Sequence, residues 1–343
     1  MNFLTDITKL TINDCLSGYY VIICKIRNSR LKAKQIAILE LVCAQYNNKI
    51  LVLQNGPLGD IKGIFSVLCP KDNLISFKER LFGIGYCFKF YLLDFDSAYC
   101  DNHTDLNSIN PLIWKGKKFS ISDFYCQDNT IYEEQSPHKR EFRIIDANGE
   151  EKTIYGYRGD GSELGRRSLP VEDARCMVNL SIPSKNKRCL DPFAGAGGIV
   201  HAFKYINPDG VITSMDIDPI LKPGLELYGS THYVMNAANA SFPENSFDSL
   251  ITEVPFSLNA INDICKTVSL INVSISNNGV FVIMCGEKQY SSIYSAMTEL
   301  ENYYVFNHKI DRKGVKVEIS VWRKTKSPEN DIENFITALK KIY

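Results

Sequence analysis

The stretch LDPFAGAGGIVHAF, residues 190–203, constrains the fold of this chain more than any other feature. An apolar run ends in Asp191, a glycine-rich turn follows, and apolar side chains then recur at helical spacing. A strand, a tight turn and a helix in this order are the opening unit of an open, doubly wound α/β sheet. Ligands bind to such sheets beyond the carboxyl ends of the strands. We therefore expect a ligand at this turn.

The segments around this stretch continue the alternation of strand and helix. The predicted helices are VEDARCMVNLS (171–181) and GIVHAFKYI (198–206), and the predicted strands are KRCLDPF (187–193), GVITSMDID (210–218), HYVMNA (232–237), FDSLITEVPF (247–256), GVFVIMCG (279–286), YYVFNHKI (303–310) and VKVEISVWR (315–323). The pattern predicts a parallel, doubly wound, Rossmann-like sheet with an antiparallel edge at its C-terminal end. We assign residues 161–343 to this domain.

Residues 1–160 have a different pattern. YYVIICKIR (19–27), a helical pattern in LKAKQIAILELVCAQY, the strand KILVLQ, a second helical pattern in LISFKERLFGIGYCF and the strand KFYLLDF (89–95) form a small α/β or α+β unit. Further on, the turn Asn148-Gly149 predicts a hairpin between EFRIIDA and EKTIYGY. A chain of 343 residues is long enough for two domains, and we expect them at 1–160 and 161–343.

Composition excludes several classes of protein. Hydrophobic residues make up 45% of the chain and charged residues 23%, as in soluble globular proteins. There is no apolar run of about 18 residues and no N-terminal signal pattern, so we expect a cytoplasmic protein with no membrane partner. The eleven cysteines and five histidines are scattered without metal-ligand spacing, so we expect no metal site.

Two classes of ligand bind at glycine turns of this kind. A dinucleotide site has the pattern G-x-G-x-x-G, and the six residues from Gly195 to Val200 lack its last glycine. A site for S-adenosylmethionine tolerates looser glycines and has an acid just before them, because that ligand offers an ammonium group. Asp191 meets this need, whereas a carboxylate would repel a pyrophosphate. The pattern therefore favours S-adenosylmethionine.

The ends of the next two predicted strands carry residues suited to the same ligand. Asp216 follows the glycine turn by about the 20 residues at which an acid binds ribose hydroxyls. Asn236, at the end of the third strand, has an acceptor for the exocyclic amine of adenine.

The fourth strand ends in TEVPF (252–256), and here a family resemblance becomes visible. Together with RRSLPVEDARCMVNLS, LDPFAGAGGIV, SMDID and ASFPENSFDSLITEVPF, this segment resembles the amino-methyltransferases that end the strand with Asp/Asn-Pro-Pro-Tyr/Phe. More narrowly, the chain resembles the THUMP-type tRNA guanine-N2 methyltransferases. The resemblance is strong over residues 165–260 and weaker in YYVIICKIRNSRLKAKQIAILELV and ERLFGIGYCFKFYLLDF.

The resemblance implies a class I methyltransferase domain, an N-terminal RNA-binding domain of THUMP or ferredoxin-like type, and S-adenosyl-L-methionine as cofactor. It places the first four of the following residues at the methionine end of the cofactor, and the others at its ribose and adenine. The predicted cofactor-binding residues are Asp191, Phe193, Gly195, Gly197, Asp216, Ile217, Asn236 and Ala237. It also implies a small zinc-binding activator protein, which some relatives need.

The predicted catalytic residues are Glu253, Val254, Pro255 and Phe256. In the family, the acidic or amide side chain and the next carbonyl grip the amine hydrogens, and the aromatic ring stacks on a flipped base. This chain departs from the pattern at Glu253 and Val254. Val254 keeps a carbonyl, but the extra methylene of Glu253 moves the carboxylate by roughly 1 Å, and a shift of that size can cost about a hundredfold in rate.

The net charge is zero, so a nucleic-acid partner would have to be bound by local basic clusters. WKGKKFS and SPHKREFR mix basic and aromatic residues, a composition suited to phosphates and stacked bases. The predicted RNA-binding residues are Arg166, Arg167, Lys117, Lys118, Lys139 and Arg140. The preference for a tRNA substrate comes from the resemblance. DNA, ribosomal RNA and a protein nitrogen stay open as substrates.

These observations lead to three hypotheses. The first is a methyltransferase that forms N2-methylguanosine in tRNA. The second is a catalytically degenerate relative that serves as an RNA- or cofactor-binding subunit, suggested by Glu253. The third is a DNA amino-methyltransferase, although in those enzymes the recognition region usually follows or interrupts the catalytic domain, and here the extra domain precedes it.

Overall fold

The computed structural model describes residues 4–5, 18–95, 112–127, 133–135, 141–145, 151–155, 169–183, 185, 187–312 and 315–325. These residues fall into two compact units, one up to residue 127 and the other from residue 133. The strands between 133 and 155 group with the second unit. Residues 160 and 161 lie outside the described residues, so the boundary predicted between them stays a prediction.

The first unit is built on a six-stranded sheet. Its elements are β1 (Leu4–Thr5), β2 (Tyr19–Ile26), α1 (Lys34–Ala44), β3 (Leu51–Leu53), β4 (Ile64–Pro70), α2 (Leu74–Glu79), β5 (Cys87–Asp94), β6 (Ile113–Trp114), β7 (Lys117–Lys118) and β8 (Ser120–Cys126). The sheet order is β1-β3-β4-β2-β5-β8, while β6 and β7 pair with each other. The β1–β3 pair is parallel, and the other pairs are antiparallel.

From β2 to β5, the elements follow the order βαββαβ, which is that of the ferredoxin-like motif. The sequence prediction of this region missed β4. All but the last of its residues are buried, so its apolar run lacks the alternation that marks a strand with one exposed face. The predicted second helix was too long: α2 ends at Glu79, and a 3-10 turn, Leu81–Gly83, follows. Glycines at 83 and 85 favour this early end.

The second unit contains the remaining elements. They are β9 (Glu133–Gln135), β10 (Glu141–Ile145), β11 (Glu151–Tyr155), α3 (Val171–Leu180), β12 (Arg188–Asp191), α4 (Gly198–Ile206), β13 (Val211–Asp216), α5 (Lys222–Leu227), β14 (Ser230–Val234), β15 (Phe247–Glu253), α6 (Ile261–Asn272), β16 (Ile275–Gly286), α7 (Tyr290–Glu299), β17 (Tyr303–Arg312) and β18 (Val315–Arg323). As predicted, β10 and β11 form an antiparallel pair, which β9 extends on the β10 side.

The main sheet of this unit has seven strands in the order β14-β13-β12-β15-β16-β18-β17. The first five are parallel, and β18 is antiparallel to both of its neighbours. The predicted Rossmann-like, doubly wound sheet with an antiparallel C-terminal end is confirmed. Chain order reverses between β12 and β15, so the carboxyl ends of these two strands flank the crevice in which such sheets bind ligands.

Burial on both faces explains the apolar character of the central strands. Leu190, Leu250, Phe281 and Ile283 are fully buried in one core, and Trp322 of β18 joins them. Strands covered on both faces need nearly continuous apolar runs, as found in the second half of β16, Val280–Cys285. Polar residues at the carboxyl ends of these strands are therefore conspicuous in the sequence.

Candidate functional site

A cavity of about 680 Å³ opens at the carboxyl ends of the parallel strands in the second unit. Eleven of the twelve residues predicted to bind the cofactor or to act in catalysis line it. They are Asp191, Phe193, Gly195, Asp216, Ile217, Asn236, Ala237, Glu253, Val254, Pro255 and Phe256. The twelfth, Gly197, is not among the lining residues.

The glycine turn connects β12 to α4 and is tied to the neighbouring strand. Gly195 has a φ of 48° and Gly197 a φ of 76°, a region that favours glycine. The Gly195 amide donates a 2.8 Å hydrogen bond to Asp216 Oδ2, and the Ala194 amide donates to Met215 O at 2.9 Å. Gly197 shapes the turn as the residue before α4, while Gly195 borders the cavity directly.

Asp191 is the most buried acid of the cavity, with 1% of its surface exposed. Its Oδ1 accepts hydrogen bonds from Thr252 Oγ1 at 2.7 Å and from the Phe193 amide at 3.3 Å. Burial raises the pKa of Asp191 to about 7, against the lowering effect of these two bonds, and the charges of Asp216 and Glu253 add to the rise. The carboxyl group therefore changes charge near neutral pH.

Asp216 ends β13 and is held at both carboxylate oxygens. Oδ2 accepts the Gly195 amide, and Oδ1 accepts the Asp218 amide at 3.0 Å. These two bonds fix the orientation of the carboxylate, whose oxygens can each accept more than one hydrogen bond. Next to it, Ile217 is 72% exposed and offers the cavity an apolar side chain.

Asn236 lies at the start of a short 3-10 turn. Its side-chain oxygen, which we predicted to accept a hydrogen bond from adenine, already accepts one from the backbone of this turn. Its Oδ1 accepts the Ala238 amide at 2.9 Å, and its Nδ2 donates to Asp263 Oδ2 at 3.4 Å. Asp263, in the first turn of α6, also lines the cavity. The sequence prediction missed Asp263, because an acid in the first helical turn is ordinary helix chemistry.

The segment Glu253–Phe256 leaves the sheet at the rim of the cavity. Glu253 ends β15, and the Val254 amide donates to Met284 O at 2.9 Å. Val254 is 2% exposed, whereas the Phe256 ring is 39% exposed. The side chain of Gln289 donates to the carbonyl oxygens of Pro255 and Ser257. Sequence reasoning missed this buried glutamine.

The cavity is strongly acidic. Four carboxylates line it, those of Asp191, Asp216, Glu253 and Asp263. Among the residues that the structure describes, no lysine, arginine or histidine lines it. Such a lining favours a cationic ligand and opposes a phosphorylated one, because no basic side chain is there to neutralise phosphate.

The predicted RNA-binding residues belong to other parts of the chain. Lys117 and Lys118 form β7 of the first unit and are exposed. Lys139, Arg140, Arg166 and Arg167 lie outside the described residues, so their role stays a prediction.

Among the helices of the described residues, none combines the length and the apolar composition of a membrane span.

No protein-family model matches this chain, and no curated protein matches it in sequence. Solved methyltransferase structures are similar to it. The N-methyltransferase NodS from Bradyrhizobium japonicum WM9, in complex with S-adenosyl-L-homocysteine, is 12% identical with a TM-score of 0.39, over 50% of this chain and 95% of NodS. TYW2 of M. jannaschii, in complex with AdoMet, is 13% identical with a TM-score of 0.39, over 60% of this chain and 91% of TYW2.

A third similar structure is the 16S rRNA N2 G1207 methyltransferase RsmC of T. Thermophilus, in complex with AdoMet and guanosine. It is 13% identical with a TM-score of 0.35, and the match covers 55% of this chain and 46% of RsmC. Likeness at these identities concerns the fold alone.

Proposed function

We propose that this chain is an S-adenosyl-L-methionine-dependent methyltransferase that methylates an exocyclic amine of a nucleic-acid base, with guanine N2 of tRNA as the substrate. The acidic lining of the cavity carries this proposal. The cofactor brings a sulfonium and an ammonium group, and both are attracted by carboxylates. The pyrophosphate of a dinucleotide, the competing ligand for a glycine turn, would be repelled.

The residues around the glycine turn fit the parts of the cofactor. Asp191, when ionised, accepts hydrogen bonds from the ammonium group, and the Gly195 backbone permits close approach of the amino-acid end. Asp216 accepts from the ribose hydroxyls and is already oriented by two backbone amides. At the adenine edge, Asp263 supplies a carboxylate acceptor beside Asn236, whose own oxygen is partly used by the backbone.

The bound cofactor supplies an electrophilic methyl group. The Glu253 carboxylate and the carbonyl oxygen of Val254 each accept a hydrogen bond from one N–H of the amine. These two bonds orient the amine so that its nitrogen lone pair points at the methyl group. Among the described residues, Val254 O accepts no hydrogen bond, so it is available for this role. Phe256 stacks on the base, and Glu253 is the nearby group that can take up the proton released from the amine.

The tRNA substrate is supported by the family resemblance and by the element order of the first unit. That unit serves as the RNA-binding, THUMP-type domain, with the exposed Lys117 and Lys118 among its phosphate contacts. A small zinc-binding partner protein and a cytoplasmic location belong to the same proposal, since the resemblance implies the first and the composition favours the second.

The test has two steps. Calorimetry should show heat of binding with S-adenosyl-L-homocysteine, the demethylated product, and none with a nicotinamide dinucleotide. Radiolabelled methyl transfer to total tRNA from a strain lacking this protein, followed by nucleoside analysis, should then yield labelled N2-methylguanosine. Parallel reactions with ribosomal RNA and DNA identify a different substrate. Binding of the dinucleotide alone would overturn the proposal.

A second function, that of a catalytically inactive binding subunit, is favoured by one observation, the glutamate at position 253. The variants Glu253→Asp and Glu253→Ala separate the two functions. In an enzyme, Glu253→Asp raises or preserves methyl transfer and Glu253→Ala abolishes it. A protein that binds the cofactor product but methylates no nucleic acid, alone or with its activating partner, is a binding subunit.

A further inference from the structure

The side chain of Gln289 is almost fully enclosed, with 1% of its surface exposed. It lies in the 3-10 turn Glu287–Gln289 between β16 and α7, and it does not line the cavity. Its Nε2 donates to Pro255 O at 2.8 Å and to Ser257 O at 3.0 Å, and its Oε1 accepts the Gly286 amide at 3.0 Å. Both amide hydrogens and the amide oxygen are therefore engaged.

The two carbonyls that Gln289 binds lie on either side of Phe256. Ser257 O accepts the Ala260 amide as well, at 3.1 Å, so the same side chain also supports the turn that leads into α6. The buried amide of Gln289 thus fixes the backbone on both sides of Phe256, whose ring borders the cavity. The Oε1 bond to Gly286 ties this arrangement to the end of β16.

Val254 adds a second constraint that a proline would not permit. Its amide donates to Met284 O at 2.9 Å, which extends the pairing of β15 with β16 by one residue. Proline has no N–H and cannot make this bond. The segment after Glu253 is therefore held by hydrogen bonds to β16 and Gln289, where the resembled motif has two consecutive prolines.

We propose that Gln289 is the positioning residue for Glu253–Phe256: through Pro255 O and Ser257 O, it sets where the Glu253 carboxylate and the Phe256 ring meet the substrate. The effect on catalysis rests on the proposed function, whereas the effect on the backbone does not. Gln289 touches neither substrate nor cofactor. It acts through the backbone of the segment that does.

The test compares Gln289→Met with the wild type in the full-length chain. Methionine has a similar volume and no amide, so both bonds to the segment are lost while the core stays filled. Hydrogen exchange of the Ala260 amide should become about tenfold faster or more, as the loss of one or two net hydrogen bonds implies. The Kd for S-adenosyl-L-homocysteine should stay within about twofold, and kcat for methyl transfer should fall about ten- to a hundredfold, the effect of a displacement near 1 Å.

Gln45→Met is the matched control. Gln45 is fully buried in the first unit, and its Nε2 also donates to a backbone carbonyl, that of Phe77, at 3.0 Å. This variant should lower the Tm without changing Ala260 exchange, cofactor-product affinity or kcat. If Gln289→Met does not fold, Gln289→Glu gives a milder comparison, because burial keeps the acid protonated and its single hydroxyl can donate to only one of the two carbonyl oxygens.

Each outcome decides the proposal. Unchanged Ala260 exchange in a folded Gln289 variant overturns it, and so does faster exchange with an unchanged kcat. Faster exchange with a reduced kcat and a constant Kd supports it. Faster exchange in a chain whose wild type methylates no substrate supports the role of Gln289 in holding the segment and refutes the proposed function, so the two failures are distinguishable.

Discussion

At the scale of single residues, Asp191 combines deep burial with a place at the ligand cavity. A buried carboxyl group resists ionisation, and the hydrogen bonds from Thr252 and Phe193 offset only part of that effect. Its pKa near 7 means that a modest change in pH decides whether the cavity presents a charge to an ammonium group. Ligand affinity and folding stability should therefore depend on pH in opposite directions.

Between its usual pKa of 3.8 and its folded-state pKa of about 7, Asp191 binds more protons in the folded than in the unfolded chain. Its contribution to the free energy of unfolding is therefore present at low pH and is lost as the pH rises to about 7. Asp191→Asn should remove this dependence. Urea denaturation of both proteins between pH 4 and pH 8 measures how the free energy of unfolding depends on pH in each. If the two plots of this free energy against pH run parallel, the raised pKa of Asp191 is contradicted.

Affinity for S-adenosyl-L-homocysteine should change the other way, falling about tenfold for each pH unit below about 7, because only the ionised carboxylate attracts the ammonium group. Calorimetric titrations at several pH values test this. Asp123→Asn is the control, since Asp123 is an exposed acid of the first unit that pairs with Lys89. It should leave the pH profile unchanged, whereas Asp191→Asn should flatten it.

Asp263 is expected to affect the choice of purine. A carboxylate accepts hydrogen bonds from the adenine amine but has no donor for a 6-oxo group. The wild type should therefore prefer S-adenosyl-L-homocysteine to its inosine analogue, and Asp263→Asn should narrow that preference about tenfold, the order of one charge-assisted hydrogen bond. An unchanged ratio of the two Kd values would place Asp263 away from the adenine edge.

Among the elements, the turn between β12 and α4 contains a glycine, Gly195, whose substitution should affect ligand binding more than protein packing. A Cβ added at Gly195 would meet no protein atom within 4 Å, although its φ of 48° disfavours other residues. The same holds for Gly116 of the first unit, whose φ is 77°. The open space beside Gly195 belongs to the cavity.

Gly195→Ala and Gly116→Ala should therefore cost similar stability, about 1 kcal/mol each, from the unfavourable backbone conformation. Only Gly195→Ala should weaken binding of S-adenosyl-L-homocysteine, because its methyl group occupies ligand space. Denaturation curves and calorimetry on the two variants test the comparison. Equal affinities would show that the ligand does not approach Gly195.

The sequence predicted those elements whose signals are local. The turn at Gly195 and the acids at the ends of β12 and β13 stand out because they interrupt apolar runs. β4 was missed, since periodicity alone cannot distinguish a short run of buried residues from a segment of a buried helix. Gln289 and Asp263 were missed for another reason: their partners lie 34 and 27 residues away along the chain, and nothing in the local pattern announces such contacts.

For the molecule taken together, the absence of net charge means that RNA could be bound only through local basic clusters. The double variant Lys117→Ala/Lys118→Ala should weaken tRNA binding and reduce the slope of log K against log salt by about 2, one for each lost phosphate contact. Filter binding at several salt concentrations gives the slope. Lys222→Ala, which removes a lysine paired with Glu226, is the control. An unaltered slope in the double variant would exclude both lysines from the interface.

The position of β18 has a consequence for biosynthesis. This strand follows β17 in the chain but inserts between β16 and β17, where it buries Trp322 and brings Val315 to the cavity. While the ribosome has yet to translate residue 315, the nascent second unit exposes the unpaired edge of β16 and a hollow in its core. Folding of this unit therefore cannot finish before β18 is in place, and a chain that stopped between β16 and β18 would leave this edge exposed and prone to aggregation.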